Sequence, residues 1–435
     1  MKLIYFGVDK FQPSSTRFRC TFEVLDEEYV RKYLHDLKIC DIDKSNKTFL
    51  HCHSSDIVDK NSYVELIRIF LEGKIRLYSI AEEELIWIGY PDSPSQQMED
   101  LFVDYSIRKI GVSRIDKIHI PIMIIVDIGF CHINCPWCYA KNKTIIDEIE
   151  QSSQDLPELD DLVNKIRELC FSVSEEVAKR FRDKLCGIDI NLTFGGNGDI
   201  SIIEPWNIKY VIKRLTNIEY EIEKRIEGYF KDSEETPYVY VWISVSTSDP
   251  FRFVNEFKHV IPNLDIVSIT YIPKELRKIV GNKKLMYFKE EDYGKVINEI
   301  CNNGVDVDLQ FILTRDINYE LERVFDEVSV KNLIYNITLF PLHFYDTGFR
   351  HEIFLTTRDE VIRELTSIME DYPVDKISRG LIKLDVCTVK KLLGINICNE
   401  VLRNKLIWRI TYDKKLNEWT IQPVTTCPMG GICKI

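Results

Sequence analysis

Ile120-Pro121-Ile122-Met123-Ile124-Ile125-Val126, followed four residues later by Cys131-His132-Ile133-Asn134-Cys135-Pro136-Trp137-Cys138, is the part of this chain whose reading decides the fold. The first stretch is an apolar run of strand length. The second gathers three thiols at C-x3-C-x2-C spacing, with an aromatic directly before the last. Thiolates hold iron–sulfur clusters or zinc, and spacing this close lets one short loop wrap one metal centre. A cubane cluster has four irons, so three local cysteines leave one iron free to bind something else. The same residues admit two other readings. They can bind zinc with His132 or a distant Cys as fourth ligand, or simply pack as small buried hydrophobes.

Working outward, six strand candidates alternate with helical stretches, at residues 118–126, 188–194, 238–246, 265–272, 305–313 and 335–342. Such alternation argues a parallel sheet built from βαβ units. On parallel barrels the chemistry sits at the C-terminal strand ends, where loops converge. The cysteine loop follows the first strand, which fits that rule. About fifty residues, 141–187, separate this loop from the second strand; their amphipathic part, 162–185, suggests a solvated helical elaboration or a lid. The second strand runs into Gly195-Gly196-Asn197-Gly198-Asp199, where glycines let backbone approach a ligand closely.

The cysteine loop resembles the cluster loop of the radical S-adenosylmethionine (radical SAM) superfamily, C-x3-C-x-aromatic-C after the first barrel strand. The resemblance implies an α/β fold, a partial (β/α)6 TIM-type barrel. It also implies a [4Fe-4S] cluster held by Cys131, Cys135 and Cys138, with S-adenosylmethionine chelated to the open iron and cleaved reductively to a 5'-deoxyadenosyl radical. By position, Gly195, Gly196 and Asn197 resemble the family's G-G-E-P motif, whose backbone binds the amino group of that cofactor. Here Asn replaces Glu, so a hydrogen-bond acceptor remains but its charge does not. Asp199 either supplies the missing carboxylate or caps a helix.

Ser244 and Ser246 close the third strand and suit ribose or carboxylate contacts; Ser248 or Asp249 caps the helix that follows, or joins them. Ser268, Thr270, Gln310 and Thr314 are weaker candidates of the same kind. The resemblance places Trp137 and Leu342 against adenine, and His343, Tyr345 and Asp346 on the substrate side as catalytic candidates.

The tail carries a second set of thiols. Cys387…Gly394…Cys398 resembles, in shortened form, the start of SPASM/Twitch auxiliary-cluster domains, and Cys427 and Cys433 follow a hairpin expected at 408–422. Four cysteines would saturate a second [4Fe-4S] cluster. Zinc, a Cys427–Cys433 disulfide and a hydrogen-atom-donating thiol are the competing uses.

These readings divide the chain into a 1–115 α/β module (cap or peptide-recognition domain), a 116–372 barrel and a 373–435 Cys-containing C-terminal domain. In the first module, strands are expected at 3–6 and 17–22, helices at 26–37 and 61–70, and a hairpin-like pair at 74–80 and 84–88, before a breaker at 91–95. At 435 residues and 45% hydrophobic content the chain can bury a large core. Its net charge of -12, from 57 basic and 69 acidic residues, argues against broad phosphate-backbone binding, so no nucleic-acid partner is expected. The N-terminus lacks the apolar core of a secretory signal and no apolar run is long enough to span a bilayer, so no membrane association is expected. Thirteen cysteines, sparse and grouped, fit a reducing cytoplasm with metal-bound thiols, although Cys20, Cys40, Cys52, Cys170 and Cys186 would be disulfide candidates in a hyperthermophile.

The function these residues imply by resemblance is abstraction of a hydrogen atom from a substrate C–H bond. A SPASM/Twitch-like tail favours peptide or protein modification, with a low-potential flavodoxin- or ferredoxin-type electron donor. A small-metabolite substrate, or a non-catalytic zinc-binding protein, is the alternative.

Overall fold

The structure, a computed structural model, describes residues 118–138, 144–145, 153–182, 185–231, 236–328, 336–341 and 406–424, the strand segments 4–5, 18–24, 40–44, 48–53, 75–82 and 382–384, and scattered positions elsewhere. Among these, strands β1 (Ile4–Tyr5), β2 (Phe18–Val24), β3 (Cys40–Lys44), β4 (Thr48–His53) and β5 (Ile75–Glu82) come first. β2 to β5 form a four-stranded antiparallel sheet in the order β3-β4-β2-β5. The stretch at 74–80 therefore pairs with β2, and β3 and β4 are strands the sequence reading did not expect. In their register Cys52 stands opposite Cys20 on one side and Cys40 on the other. The helices expected at 26–37 and 61–70, and the strand at 84–88, lie outside the described residues.

The central sheet follows. Its strands are β6 (Ile118–Asp127), β9 (Leu185–Gly195), β10 (Tyr238–Thr247), β11 (Ile266–Tyr271), β12 (Asp306–Leu313) and β13 (Asn336–Pro341). All six run parallel, each beside its sequence neighbour. They match the six expected strands to within three residues at either end. Two-residue strands β7 (Phe130–Cys131) and β8 (Thr144–Ile145) pair beside the cysteine loop. Beyond β13 the sheet adds β14 (Ile382–Leu384) and then β1, both parallel. On the other edge β15 (Leu406–Asp413) lies parallel to β6 and turns back antiparallel as β16 (Glu418–Pro423). The result is an α/β fold whose sheet, among the described residues, is open, ten-stranded and mostly parallel, without closing into a barrel.

Parallel neighbours need a crossover, usually helical. The first is α1 (Leu159–Phe181), then α2 (Pro205–Leu215) and α3 (Ile218–Ile226) before β10, α4 (Pro250–Phe257) before β11, α5 (Lys274–Arg277) and α6 (Glu290–Cys301) before β12, and α7 (Ile317–Glu327) after it. The apolar spacing Leu162, Ile166, Leu169, Val173 and Val177 puts one face of α1 in the core, with Asp160 and Asp161 in its first turn and Lys179 and Arg180 in its last, the charge order the helix dipole favours. This corrects the reading of 141–187 as a solvated elaboration. One helix of that stretch is the crossover every parallel pair requires, packed on α2, α3, β9 and β16.

The two sheet faces differ sharply. Ile122, Ile124, Val126, Ile190, Leu192, Phe194, Val245, Val267, Ile269, Val307, Leu309 and Phe311 are buried; from β9 to β12 they alternate mostly with polar residues, whereas in β6 they alternate with Met123 and Ile125. Each such side chain contributes about 1.5–3 kcal/mol on burial. The opposite face carries Asp127, Asn191, Thr193, Ser244, Ser246, Ser268, Thr270, Asp308 and Gln310, aligned across strands by the register Thr193↔Ser244, Ser246↔Ser268, Ser268↔Asp308 and Thr270↔Gln310. A parallel sheet buried on both faces ordinarily reads apolar throughout. Here the second face is polar over much of β9 to β12, with Met123, Ile125, Trp242 and Ile266 as apolar members.

Candidate active site

The cysteine loop leaves the C-terminal end of β6 and is pinned to the turn after β9 and to the segment that follows α5. Ile128 N–H donates to Gly195 O at 3.3 Å, and Asp199 N–H donates to Phe130 O at 2.9 Å. Further round, Gly281 N–H donates to Ile133 O at 2.8 Å. Asn134 takes a left-handed φ of 50° to complete the turn. Cys138 N–H closes on Cys135 O at 3.0 Å, so the last two thiols share one turn. Cys131 is buried, and Cys135 and Cys138 are half-buried.

His132, between the first two thiols, turns away into the protein. Its Nε2 lies 3.0 Å from Asp249 Oδ2, which also accepts from Asn282 Nδ2 at 2.9 Å, while Asp249 Oδ1 caps α4 by accepting from Arg252 N–H at 3.1 Å. Asp249 is therefore the helix cap, and it anchors the loop as well. His132 Nδ1 is buried without a hydrogen-bond partner. A carboxylate on one ring nitrogen is also the usual companion of a histidine that ligates metal through the other, so the zinc alternative keeps His132 as a candidate ligand through Nδ1. Among the described residues no three His, Cys, Asp or Glu side chains gather tightly around one point. A cubane asks for less, because each thiolate sits on its own iron corner.

Facing the loop is the turn after β9. Gly196 has a left-handed φ of 57°, and a Cβ there would fall 1.9 Å from Asp127 Oδ1; one on Gly198 would fall 2.4 Å from Phe130 O. Only glycines let this turn press against the cysteine loop. Asp127, which the sequence reading passed over, holds the turn. Its Oδ1 accepts from Asn197 N–H at 3.0 Å, and its Oδ2 accepts from Asn197 Nδ2 at 3.2 Å and Thr411 Oγ1 at 3.0 Å. Arg409 Nε stands 3.5 Å from Oδ2, an ion-pair distance without hydrogen-bond alignment. Burial pushes the Asp127 carboxyl above the usual range, opposed by the Arg409 guanidinium and by the hydrogen bonds from Thr411 and Asn197.

Two of the candidate side chains make hydrogen bonds within the protein. Asp199 is buried and spends its carboxylate inside the protein, accepting from Ser201 N–H and Oγ, from Thr247 Oγ1 at 2.9 Å and from Ser248 N–H, so it is the cap of Ile200–Ile202. Ser244 is fully buried one layer below the strand ends, with its hydroxyl engaged by Thr193 at 2.8 Å and Asn191 at 2.9 Å. Ser246, half-buried above it and against Gly195, is the hydroxyl nearer the edge. Trp137 is buried within the apolar core. Ser268, Thr270 and Gln310 share the polar face, where Asp308 accepts from Ser268 and Gln310. Thr314 is buried just past β12. Leu342, His343, Tyr345 and Asp346, and the tail thiols Cys387, Cys398, Cys427 and Cys433, lie outside the described residues.

Three cysteines in one loop, with a glycine turn packed against it, suit an iron–sulfur cluster. Among the described residues no helix is long and apolar enough to cross a membrane.

No protein-family model matches the chain. No curated protein matches it either. Among solved structures, the chain is similar to Streptococcus suis SuiB bound to precursor peptide SuiA, at 10% identity over 85% of this chain and 73% of that one, with a TM-score of 0.43. It is also similar to native anSMEcpe with bound AdoMet and Cp18Cys peptide, at 9% identity over 61% and 63% of the two chains (TM-score 0.33). A third is the archaeal Methanocaldococcus infernus Elp3, at 13% identity over 63% and 62% (TM-score 0.35). The chain thus spans under two thirds of the last two proteins. Likenesses this distant are likenesses of strand and helix order.

Proposed function

We propose that this protein is a radical SAM enzyme that removes a hydrogen atom from a substrate C–H bond. The observation that carries the reading is the junction of three cysteines in one loop with the Gly195–Gly198 turn, at the C-terminal edge of a parallel sheet. Cys131, Cys135 and Cys138 would hold a [4Fe-4S] cluster, and Gly195, Gly196 and Asn197 the methionine end of S-adenosylmethionine. When bound, the pair supplies a 5'-deoxyadenosyl radical. The chain's own residues do the rest. The His132–Asp249–Asn282 contacts fix the loop, Ser246 offers a hydroxyl near the strand ends, and the polar face from Ser268 to Gln310 gives a substrate something to hydrogen-bond while the sheet and helices exclude water.

The substrate class we favour is a peptide or protein, because the C…G…C pattern at Cys387, Gly394 and Cys398 resembles the auxiliary-cluster domains common in peptide maturases. His343, Tyr345 and Asp346 are the proposed substrate-side groups, Trp137 and Leu342 the adenine-side ones. The tail thiols are proposed ligands of a second cluster, and a flavodoxin- or ferredoxin-type protein the electron donor.

Anaerobic purification tests the reading first. The protein should be brown and contain iron and sulfide, and with dithionite and S-adenosylmethionine it should release 5'-deoxyadenosine, which Cys135→Ala abolishes. Colourless protein containing zinc overturns it. Iron remaining in a chain lacking Cys131, Cys135 and Cys138 would locate the second cluster in the tail.

A further inference from the structure

We propose that Asp127 is a positioning residue for cofactor binding. It turns the Asn197 side chain so that the amide oxygen, and not the amide nitrogen, meets the ammonium of S-adenosylmethionine. This rests on the reading of the site just given and deepens it.

The argument starts from donor and acceptor chemistry. An ionised carboxylate only accepts hydrogen bonds, so the Asn197 atom 3.2 Å from Asp127 Oδ2 is the nitrogen. Asn197 N–H is committed to the other carboxylate oxygen at 3.0 Å, which fixes the backbone as well as the side chain. The half-exposed Asn197 is thereby left with its amide oxygen for a ligand. A cation is the ligand such an oxygen prefers. Asp127 itself is only 3% exposed, too deep to touch the cofactor, so it acts through Asn197. Its charge still counts. The resembled motif carries a carboxylate where this chain has Asn197, and here the nearest carboxylate stands one hydrogen bond behind that position, in surroundings of low dielectric that screen it weakly. Gly196 has no room for a side chain because this carboxylate occupies the space a Cβ would need.

The support comes from far along the chain. Thr411 and Arg409, both on β15, reach Asp127 Oδ2 across the sheet edge. The tail hairpin therefore belongs to the cofactor site without touching the cofactor.

The test compares two ligands on the cluster-loaded protein by anaerobic equilibrium dialysis. One is S-adenosylmethionine; the other is 5'-methylthioadenosine, which keeps the nucleoside and lacks the amino-acid end. Asp127→Asn keeps the side-chain shape but sets one amide nitrogen against another, so Asn197 must turn over and offer its NH2 to the ammonium. Affinity for S-adenosylmethionine should fall roughly ten- to a hundredfold while that for methylthioadenosine stays within about twofold. Adding Asn197→Asp exchanges donor and acceptor and should restore most of the lost affinity. Equal losses for both ligands, loss of neither, or no rescue by the exchange overturns the proposal. If the wild-type protein binds no S-adenosylmethionine, it is the functional reading that fails.

Discussion

His132 and Asp249 meet across 117 positions of sequence, and their contact holds the cysteine loop onto α4. A buried polar group that loses its hydrogen-bond partner carries the full cost of its desolvation. Asp249→Ala strands His132 Nε2 and Asn282 Nδ2 and uncaps α4, so it should cost about 3 kcal/mol and lower Tm by roughly 3–4 °C in circular dichroism. Asp265 carries the opposite lesson. It accepts from Ile243 N–H at 2.7 Å, yet burial raises its carboxyl above the usual range, against that hydrogen bond and with Glu219 and Asp306 adding repulsion. A carboxyl raised in the folded state contributes stability below its unfolded pKa and loses it as pH rises through the folded pKa. Asp265→Asn keeps an acceptor for Ile243 and has no charge to acquire. Its Tm advantage over wild type should therefore grow between pH 4 and pH 8; a constant difference would show that Asp265 titrates normally.

At the scale of elements, the cysteine loop and the Gly195–Gly198 turn are one unit, because neither has room to move without the other. Gly198→Ala places a Cβ 2.4 Å from Phe130 O and 2.5 Å from Ile128 Cγ1 and should cost about 1–3 kcal/mol in urea unfolding, whereas Gly228→Ala, with nothing within 4 Å, should be close to neutral. Six strands and the cysteine loop were legible in the sequence because each is a local pattern: an apolar run, or thiols at fixed spacing. Asp127 was not legible. A lone acid at a strand end gives no periodic signal, and its partners Asn197 and Thr411 lie 70 and 284 positions away. The same holds for β15 and β16. Their hairpin was readable, but pairing with β6 is non-local, so nothing in 408–422 says which strand it joins. Asp199 and Ser244 were sensible candidates by residue type, and only the hydrogen bonds show that their polar atoms are already engaged.

For the molecule as a whole, β15 covers an edge of β6 that would otherwise expose unpaired N–H and C=O groups from Ile122 to Asp127. Open edges invite pairing with other chains. A chain stopped at residue 400 should therefore sediment as aggregates although every residue of the cysteine loop is present. A monodisperse, S-adenosylmethionine-binding truncation would show that the hairpin is dispensable. The hairpin also sets an order of events during synthesis. Thr411 leaves the ribosome 284 residues after the aspartate it supports. A growing polypeptide can thus expose all three thiols to cluster-delivery machinery well before the neighbouring turn has its brace. Metal loading and cofactor competence would then be separate stages of maturation, with the second waiting on translation of β15.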